Sequence, residues 1–321
     1  MCGISGRRRA AGIMQHPVPT VLHVVVPASA LTTTERMRSI NEKTEVLIEA
    51  LPYIRRYEGT IFVIKYGGAA MIDEGLEESF SQDVTILKKV GIRIVIVHGG
   101  GKEVTEIAEK LGLPSRFIDG QRYTDEAMMG VVQMVLAGKT NKDIVARINR
   151  HDGEAVGLCG IDADLLRVKK VSNGKHDLGL VGEIVGVNVS YLRLLLDNGI
   201  MPVIAPIGVD EKGRAHNINA DNASSAIAAA LKAEKLVYLS DVEGVIAQGS
   251  LVHSMNRDQA HRYVTEGVIN NGMIPKIRSA FTALEAGVNK VHMIDGRVIH
   301  SLLLEIFTDA GVGTELLRGV Q

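Results

Sequence analysis

The chain predicts an α/β fold, a three-layer αβα sandwich with a mainly parallel central sheet in two lobes. Three observations carry this. Apolar, strand-like runs alternate with amphipathic helical stretches along most of the 321 residues, the pattern of parallel strands joined by helical crossovers. Gly, Ala, Val and Ile are plentiful, aromatics are scarce and Trp is absent, a composition suited to sheets buried under helices. Two of the apolar runs, Ile61-Phe62-Val63-Ile64 and Ile94-Val95-Ile96-Val97, pass directly into glycine loops. Lys65-Tyr66-Gly67-Gly68 follows the first and His98-Gly99-Gly100-Gly101 the second, so two glycine turns, one with a cation at its lip, stand at neighbouring strand tips. Glycines let backbone N–H groups approach a ligand closely, and a helix start adds its positive dipole end, so the pair outlines an anion site.

In chain order, residues 1–36 read as a disordered extension. Arg7-Arg8-Arg9 and the short run Val21 to Val26 mimic a targeting peptide, but His23, Pro17, Pro19 and Pro27 interrupt it, and Met37 offers a natural start. From Ser39 to Tyr57, apolar Ile40, Val46, Leu47, Ala50, Leu51 and Ile54 recur at helical spacing, predicting an amphipathic helix bent at Pro52. This helix, taken as 37–59, stands outside the strand-loop-helix core, free to pack as a lid or to reach another subunit. Gly75 to Val90 reads as a helix, Arg93 onward as a strand, and Lys102 to Leu111 as a helix. Helices through Asp125 to Ala137 and Lys142 to His151 come next, then an apolar segment at Ala155 to Leu158 and a hairpin over Leu165 to Val187. The helix Tyr191 to Asn198, the strand Met201 to Ala205 and the Ala-rich helix Ala223 to Leu231 complete a first lobe, 60–233. A second lobe, 234–321, holds the strand Leu236 to Leu239, a helix ending near Gly267, the helix Arg278 to Ala286, the strand Val291 to Ile294 and a closing helix from Ser301.

Composition narrows the function. A net charge of −1 leaves no basic footprint for nucleic acid, and no segment has the length of a membrane span. Cys2 and Cys159 are too few for a disulfide framework, so the expectation is a reducing, cytoplasmic compartment, with Cys159 a small buried residue. Gly138-Lys139-Thr140 is not a phosphate-binding loop, because Gln133 stands where the first glycine belongs and the segment upstream is helical in pattern. Gly99-Gly100-Gly101 is not a dinucleotide fingerprint, since Val104 occupies the third glycine position. The ten histidines show no metal-ligand spacing, and no serine sits in a nucleophile elbow. What remains is cations, glycines and acids. Lys276, at a helix start, reads either as a second cation in the crevice of Lys65 or as a solvated lysine. Asp221 reads as an organising acid or as a helix cap, and Arg122 as a carboxylate clamp or an exposed loop residue.

Lys65-Tyr66-Gly67-Gly68, His98 to Gly101, Gly120 to Thr124, Asn217-Ile218-Asn219-Ala220-Asp221, Ser240 to Val245 and Gly272 to Lys276 together resemble, in order and spacing, the amino-acid kinase superfamily. Arg122 with Asn217 to Asp221 is similar to its acetylglutamate kinase branch, over about Met37 to Gly319. The resemblance implies the amino-acid kinase fold and ATP-dependent phosphorylation of the side-chain carboxylate of N-acetyl-L-glutamate in arginine biosynthesis. It implies that Lys65 and Lys276 stabilise the transferring phosphoryl group and that Asp221 holds both lysines in register. Gly100, Gly101, Arg122 and Asn217 would bind acetylglutamate. Gly67, Gly68, Ser240, Asp241, Val242, Gly244 and Ile246 would line the nucleotide, with Mg2+ arriving on the ATP. Two departures stand out: Lys102 replaces the family's usual proline, and Ile161-Asp162-Ala163-Asp164 replaces a glycine- and lysine-containing loop.

Arginine-inhibited members carry an N-terminal helix like Ser39 to Tyr57 and a C-terminal segment like His300 to Glu305 with Gly311 to Thr314. The resemblance therefore implies feedback inhibition by arginine, with Tyr53, Glu305 and Gly311 in its pocket, and a homo-oligomer, a dimer or a hexamer built as a trimer of dimers. Tyr53 also reads as a plain packing residue. A same-fold kinase acting on another small acid is the alternative that Arg122 and Asn217 argue against. A catalytically silent arginine-sensing scaffold is the alternative that Lys65, Asp221 and Lys276 argue against.

Overall fold

The computed structural model describes residues 33–71, 73–171, 177–270, 272–308 and 311–319. Residues 1–32 of the expected extension, Cys2 among them, lie outside these. Two compact units divide inside the first helix, residues 1–47 and residues 48–321. Among the described residues, the first holds the start of that helix, and the second holds every strand and the remaining helices.

Along the chain, α1 (Thr33–Tyr57) is followed by β1 (Ile61–Tyr66), α2 (Glu74–Lys89), β2 (Arg93–His98) and α3 (Gly101–Lys110). A ribbon of β3 (Phe117–Ile118) and β4 (Gln121–Arg122) precedes a long helical rod, in which α4 (Glu126–Val132) and α5 (Asn141–Arg150) are joined by a π-helical segment, Gln133–Thr140. Next come β5 (Ala155–Cys159), the antiparallel pair β6 (Leu166–Lys170) and β7 (Gly182–Val187), α6 (Val189–Asp197), β8 (Met201–Ala205), β9 (Ile207–Val209), β10 (Ala215–Asn217) and α7 (Ala220–Leu231). The chain continues with β11 (Lys235–Ser240), the short strands β12 (Ile246–Ala247), β13 (Ser250–Leu251) and β14 (Ser254–Met255), α8 (Arg257–Thr265) and α9 (Ile274–Glu285). It closes with β15 (Lys290–Asp295), α10 (Ser301–Phe307) and β16 (Thr314–Leu316).

An eight-stranded sheet runs in the order β14-β16-β15-β11-β1-β2-β8-β5, parallel from β15 to β5, so the expected α/β architecture with a mainly parallel sheet is present. β16 runs antiparallel to β15. β1 is flanked by β2 on one side and β11 on the other, so the crossover direction reverses there, and open α/β sheets bind ligands outside the carboxyl ends of strands at such a point.

Alternation along β1 decides which face each residue serves. Phe62, Ile64 and Tyr66 enter the core beneath α2, α5 and α10, whereas Ile61 and Val63 enter the core beneath α7 and α9. Lys65 has the parity of Val63. Its ammonium therefore rises on the α7 and α9 side.

Three features differ from the sequence reading. The two helices expected between Asp125 and His151 form one rod, because Gly138-Lys139-Thr140 winds into the π turn instead of breaking the helix, and Lys139 pairs with Asp143 at 2.8 Å. The α9 helix starts at Ile274, before Lys276, because Pro275 suits the first helical turn, where its missing N–H costs nothing. Cys159 is half-buried rather than buried. Helix α1 runs through Pro52 to Tyr57, whose buried ring packs edge-on against Phe62 with centroids 5.2 Å apart.

Candidate active site

Three elements far apart in sequence bring Lys65, Asp221 and Lys276 together. Lys65 sits at the tip of β1 and is 8% exposed. Asp221 lies in the first turn of α7 and Lys276 in the first turn of α9, two helices packed side by side on the face that Lys65 enters. One carboxylate oxygen of Asp221 is 3.1 Å from Lys65 Nζ, and the other is 3.1 Å from Lys276 Nζ. The Lys276 contact is a hydrogen bond; the Lys65 contact is an ion pair off the hydrogen-bond line.

Asp221 is not the cap of α7. Asn219 caps it, accepting from Asp221 N at 2.8 Å and Asn222 N at 3.2 Å, which leaves the Asp221 carboxylate free to bridge the lysines. Burial raises the affinity of Asp221 for a proton, but Lys65 and Lys276 overcome it and hold the carboxyl below the usual carboxylate range. Burial likewise pulls the Lys65 ammonium below the range of a free lysine, opposed by Asp221. Gly67 makes room for this curl, since a Cβ there would lie 3.0 Å from Lys65 Nζ.

The second glycine loop faces the same crevice. Gly99 N–H donates to Tyr66 O at 2.7 Å, tying the two loops together. Gly100, at the head of α3, has φ of +136°, and a Cβ there would sit 2.6 Å from Leu136, so only glycine fits. No side chain caps α3, which leaves its first N–H groups without a capping partner. A cavity of about 580 Å³ is lined by Lys65, Gly67, Gly68, Gly99 to Gly101, Lys102 and Arg122. A second, of about 170 Å³, shares Gly99 to Gly101 and Arg122 and adds Gly120, Asn217 and Asn219.

Arg122 is buried in β4, not exposed in a loop. Its Nη1 donates to Ser115 Oγ at 2.8 Å; its Nη2 donates to Gly101 O at 2.7 Å and to Thr105 Oγ1 at 2.8 Å. Both Nη2 protons are thus engaged on α3. Either two-pronged edge of a guanidinium uses Nη2, so a carboxylate held that way displaces Gly101 O or Thr105 Oγ1. Asn217 donates to Thr124 Oγ1 at 3.1 Å beside the smaller cavity.

The residues Ser240 to Ile246 follow the tip of β11, next to β1. A Cβ on Gly68 would lie 3.7 Å from Asp241 N, so the first glycine loop packs on this segment. The Ser240 hydroxyl is turned inward, 3.2 Å from Val242 O and 3.4 Å from Ile294 O, and donates to one of them. Gly244 has φ of +136°, and a Cβ there would sit 2.5 Å from Thr314 Oγ1, so its glycine is set by packing beneath β16. Val242 is half-buried and Ile246 exposed.

Sequence reasoning did not single out His98, Asn141 or Asn219, although His98 stood in view beside the glycines. The departure at Ala163 leaves a structural mark: Ala163 takes φ of +51°, a conformation that glycine adopts without strain. Among the described residues, no group of three or more His, Cys, Asp or Glu is placed to hold a metal ion, and no helix is long and apolar enough to cross a membrane.

Elsewhere on the molecule Tyr53, Glu305 and Gly311 meet around a cavity of about 310 Å³, with Arg56, Lys235, Lys290 and Glu315. Glu305 accepts from His292 Nδ1 at 2.5 Å and from Val312 N at 2.7 Å. Burial raises and His292 lowers its carboxyl pKa, leaving it below the ordinary value. Burial pulls the Lys235 ammonium down to about 8.

Residues 60–295 match the model of the amino acid kinase family. The chain is 56% identical over 272 residues to the acetylglutamate kinase of Pelodictyon phaeoclathratiforme, covering 85% of this chain and 89% of that one. Among solved structures it is similar to N-acetylglutamate synthase from Neisseria gonorrhoeae. The complex of that enzyme with coenzyme A and N-acetyl-glutamate superposes with a TM-score of 0.78 at 28% identity, covering 87% of this chain and 64% of that one. The chain therefore spans just under two thirds of the Neisseria protein. Its complex with coenzyme A and L-arginine gives 0.75 at 27% identity, covering 86% and 66%.

Proposed function

The chain belongs to the amino acid kinase family, among its acetylglutamate kinases, and on that premise we propose that this phosphotransferase moves the terminal phosphoryl group of MgATP to the side-chain carboxylate of N-acetyl-L-glutamate. The product is N-acetyl-L-glutamyl 5-phosphate, an intermediate on the way to arginine.

The observation that carries the reading is the bridge Lys65–Asp221–Lys276 in front of two glycine loops. An acceptor carboxylate is already ionised near neutral pH. It needs no general base; it needs a polyanion and a second anion to be brought together in line, with their repulsion cancelled. Lys65 and Lys276 supply the cancelling charge on the transferring oxygens. Asp221 accepts no proton: with its carboxyl held below the usual range, it fixes the spacing of the two ammonium groups. Gly100 and Gly101 offer N–H donors at the head of α3, while Arg122 and Asn217 hold the acetylglutamate. Gly67 and Gly68, with Ser240, Asp241, Val242, Gly244 and Ile246, form the nucleotide side, and the magnesium ion enters as part of the nucleotide. Residues 60–233 would then carry the acceptor and the dimer contact, and 234–321 the nucleotide and a regulatory C-terminal segment.

Coupled measurement of ADP release with acetylglutamate, glutamate, aspartate or carbamate as acceptor tests this. Release dependent on acetylglutamate is expected, and preference for another acid overturns it.

A second element of the proposal is inhibition by arginine at the cavity of Tyr53, Glu305 and Gly311. Its mixture of carboxylates and cations suits an amino acid carrying both charges, and the Neisseria synthase is known in complex with L-arginine. The α1 helix supplies Tyr53 and exposes Leu47, Ile48 and Leu51, an apolar strip suited to joining subunits into a hexamer, a trimer of dimers. Arginine titration of the ADP-release assay checks the first part, and light scattering the second.

A further inference from the structure

We infer that His98 is a positioning residue for this reaction: it pins the Gly99 carbonyl and thereby aims the Gly100 N–H into the transfer cavity. The inference rests on the phosphoryl-transfer reading above and adds a residue to it.

His98 ends β2 and is fully buried behind the loop. Its Nδ1 is 2.7 Å from Gly99 O, and its Nε2 is 3.1 Å from Asn141 Nδ2. The Asn141 amide can face only one way. Its nitrogen lies nearest to Val203 O at 2.9 Å and His98 Nε2 at 3.1 Å, with Leu158 O farther off at 3.4 Å, and its oxygen accepts from Lys142 Nζ at 2.9 Å. The nitrogen therefore donates to His98 Nε2 as well, which makes Nε2 an acceptor and leaves the ring proton on Nδ1. That proton goes to Gly99 O. Burial drops the His98 pKa to about 4, so the ring serves as a neutral donor and brings no charge to the site.

The consequence follows from peptide geometry. C=O and N–H of one planar trans peptide point in opposite directions. With Gly99 O held toward His98, the Gly100 N–H points away from it, toward the side where Gly99 and Gly100 line both cavities. Among the described residues nothing accepts from that N–H. Gly99 N–H is already held by Tyr66 O, so the peptides on both sides of Gly99 are fixed. The donor is thus set before substrate arrives, and a donor fixed in advance where charge develops is worth far more than one that must reorient.

The Asn141 contact follows from the π turn, which places Thr140 and Asn141 side by side under the loop. Thr140 Oγ1 donates to Glu103 on α3 at 2.9 Å, while Asn141 reaches His98.

Paired variants test the inference. In His98→Asn the amide nitrogen falls where Nδ1 stands, so the bond to Gly99 O is kept. In His98→Gln the amide falls where Nε2 stands, and the bond to Gly99 O is lost. Turnover of His98→Gln is expected to fall by ~10–100-fold with both Michaelis constants nearly unchanged, while His98→Asn stays within about threefold of the wild type. Equal loss in both variants, or a change confined to the Michaelis constants, overturns the inference.

A second readout is independent of activity. Long-range proton–nitrogen correlation spectra of the full-length protein with labelled histidine, assigned by loss of the signal in His98→Asn, should show a neutral ring protonated at Nδ1 across neutral pH. A ring protonated at Nε2, or an imidazolium, overturns it equally. A wild type that releases no ADP with acetylglutamate strikes the functional reading instead, and the spectra still decide the tautomer.

Discussion

Replacing Asp221 with asparagine removes one charge and almost no volume, and it separates an organising carboxylate from a proton acceptor. Each lysine ammonium lies 3.1 Å from a carboxylate oxygen. At an effective dielectric of about 20, Coulomb's law assigns each contact ~5 kcal/mol. Much of that pair of attractions is offset by the cost of burying the three charges. Loss of one partner from such a buried cluster typically costs about 3–5 kcal/mol, because the remaining charges are left unpaired. Asp221→Asn should therefore lower unfolding stability by about 3–5 kcal/mol, read as a denaturant midpoint shifted at constant slope. Turnover should fall at least about 100-fold, since the amide cannot hold two mutually repelling ammonium groups at the transferring oxygens. The residual activity should have its own pH dependence. Burial lowers the Lys65 pKa, Asp221 opposes that shift and Lys276 adds to it, so without the carboxylate Lys65 loses its proton at lower pH and activity should decline as pH rises. Coupled ADP release across pH, with chemical denaturation of the same preparations, measures all three. Turnover within about threefold of the wild type, or an unchanged unfolding midpoint, refutes the organising role.

Arg122→Lys should raise the Michaelis constant for acetylglutamate roughly tenfold or more and leave that for ATP nearly unchanged, because one ammonium cannot replace the contacts to Ser115, Gly101 and Thr105 and still grip a carboxylate; steady-state kinetics in both substrates decide it. His98 is neutral in the folded protein down to about pH 4, but in the unfolded chain it takes a proton near pH 6.5. Between those values the unfolded state binds the extra proton, so stability should fall by roughly 1.4 kcal/mol per pH unit as pH is lowered, a component that His98→Asn lacks in denaturation at stepped pH. Ala163→Gly should stabilise the protein by about 0.5–1 kcal/mol, because φ of +51° strains alanine, partly offset by the greater freedom of glycine in the unfolded chain, and thermal unfolding reads the gain. Deleting residues 1–51 removes Leu47, Ile48 and Leu51 and should leave an active but smaller assembly with weakened arginine inhibition, seen by light scattering and arginine titration; cutting at Leu51 spares Tyr57, which packs on Phe62 in the core.

Much of the molecule was legible from local pattern. The continuous apolar runs Ile61 to Ile64 and Ile94 to Val97 marked two neighbouring buried strands, and the glycines after them marked their tips, because a short apolar run and glycine's conformational freedom are properties of a few adjacent residues. Lys65 shares the parity of Val63, but which side of the sheet that is became visible only with α7 and α9 packed on it. The short strands β9, β10, β12, β13, β14 and β16 were not legible, having two or three residues each, too few to show a period.

What the sequence determined by itself is therefore the set of chemical groups at the strand tips and helix starts, and the family to which their order belongs. Tertiary structure decided which of them meet. Asp221 and Lys276 reach Lys65 because α7 and α9 pack side by side on one face of the sheet, and Asp221 is available because Asn219 takes the capping task. Arg122 is buried where its guanidinium bonds Gly101 and Thr105 on α3, and His98 acquires its tautomer from Asn141, which a π turn brings beneath the loop. These are pairings through space between residues far apart in sequence. Side-chain periodicity carries information only along one element, so the partner chosen across elements emerges only when helices settle on the sheet.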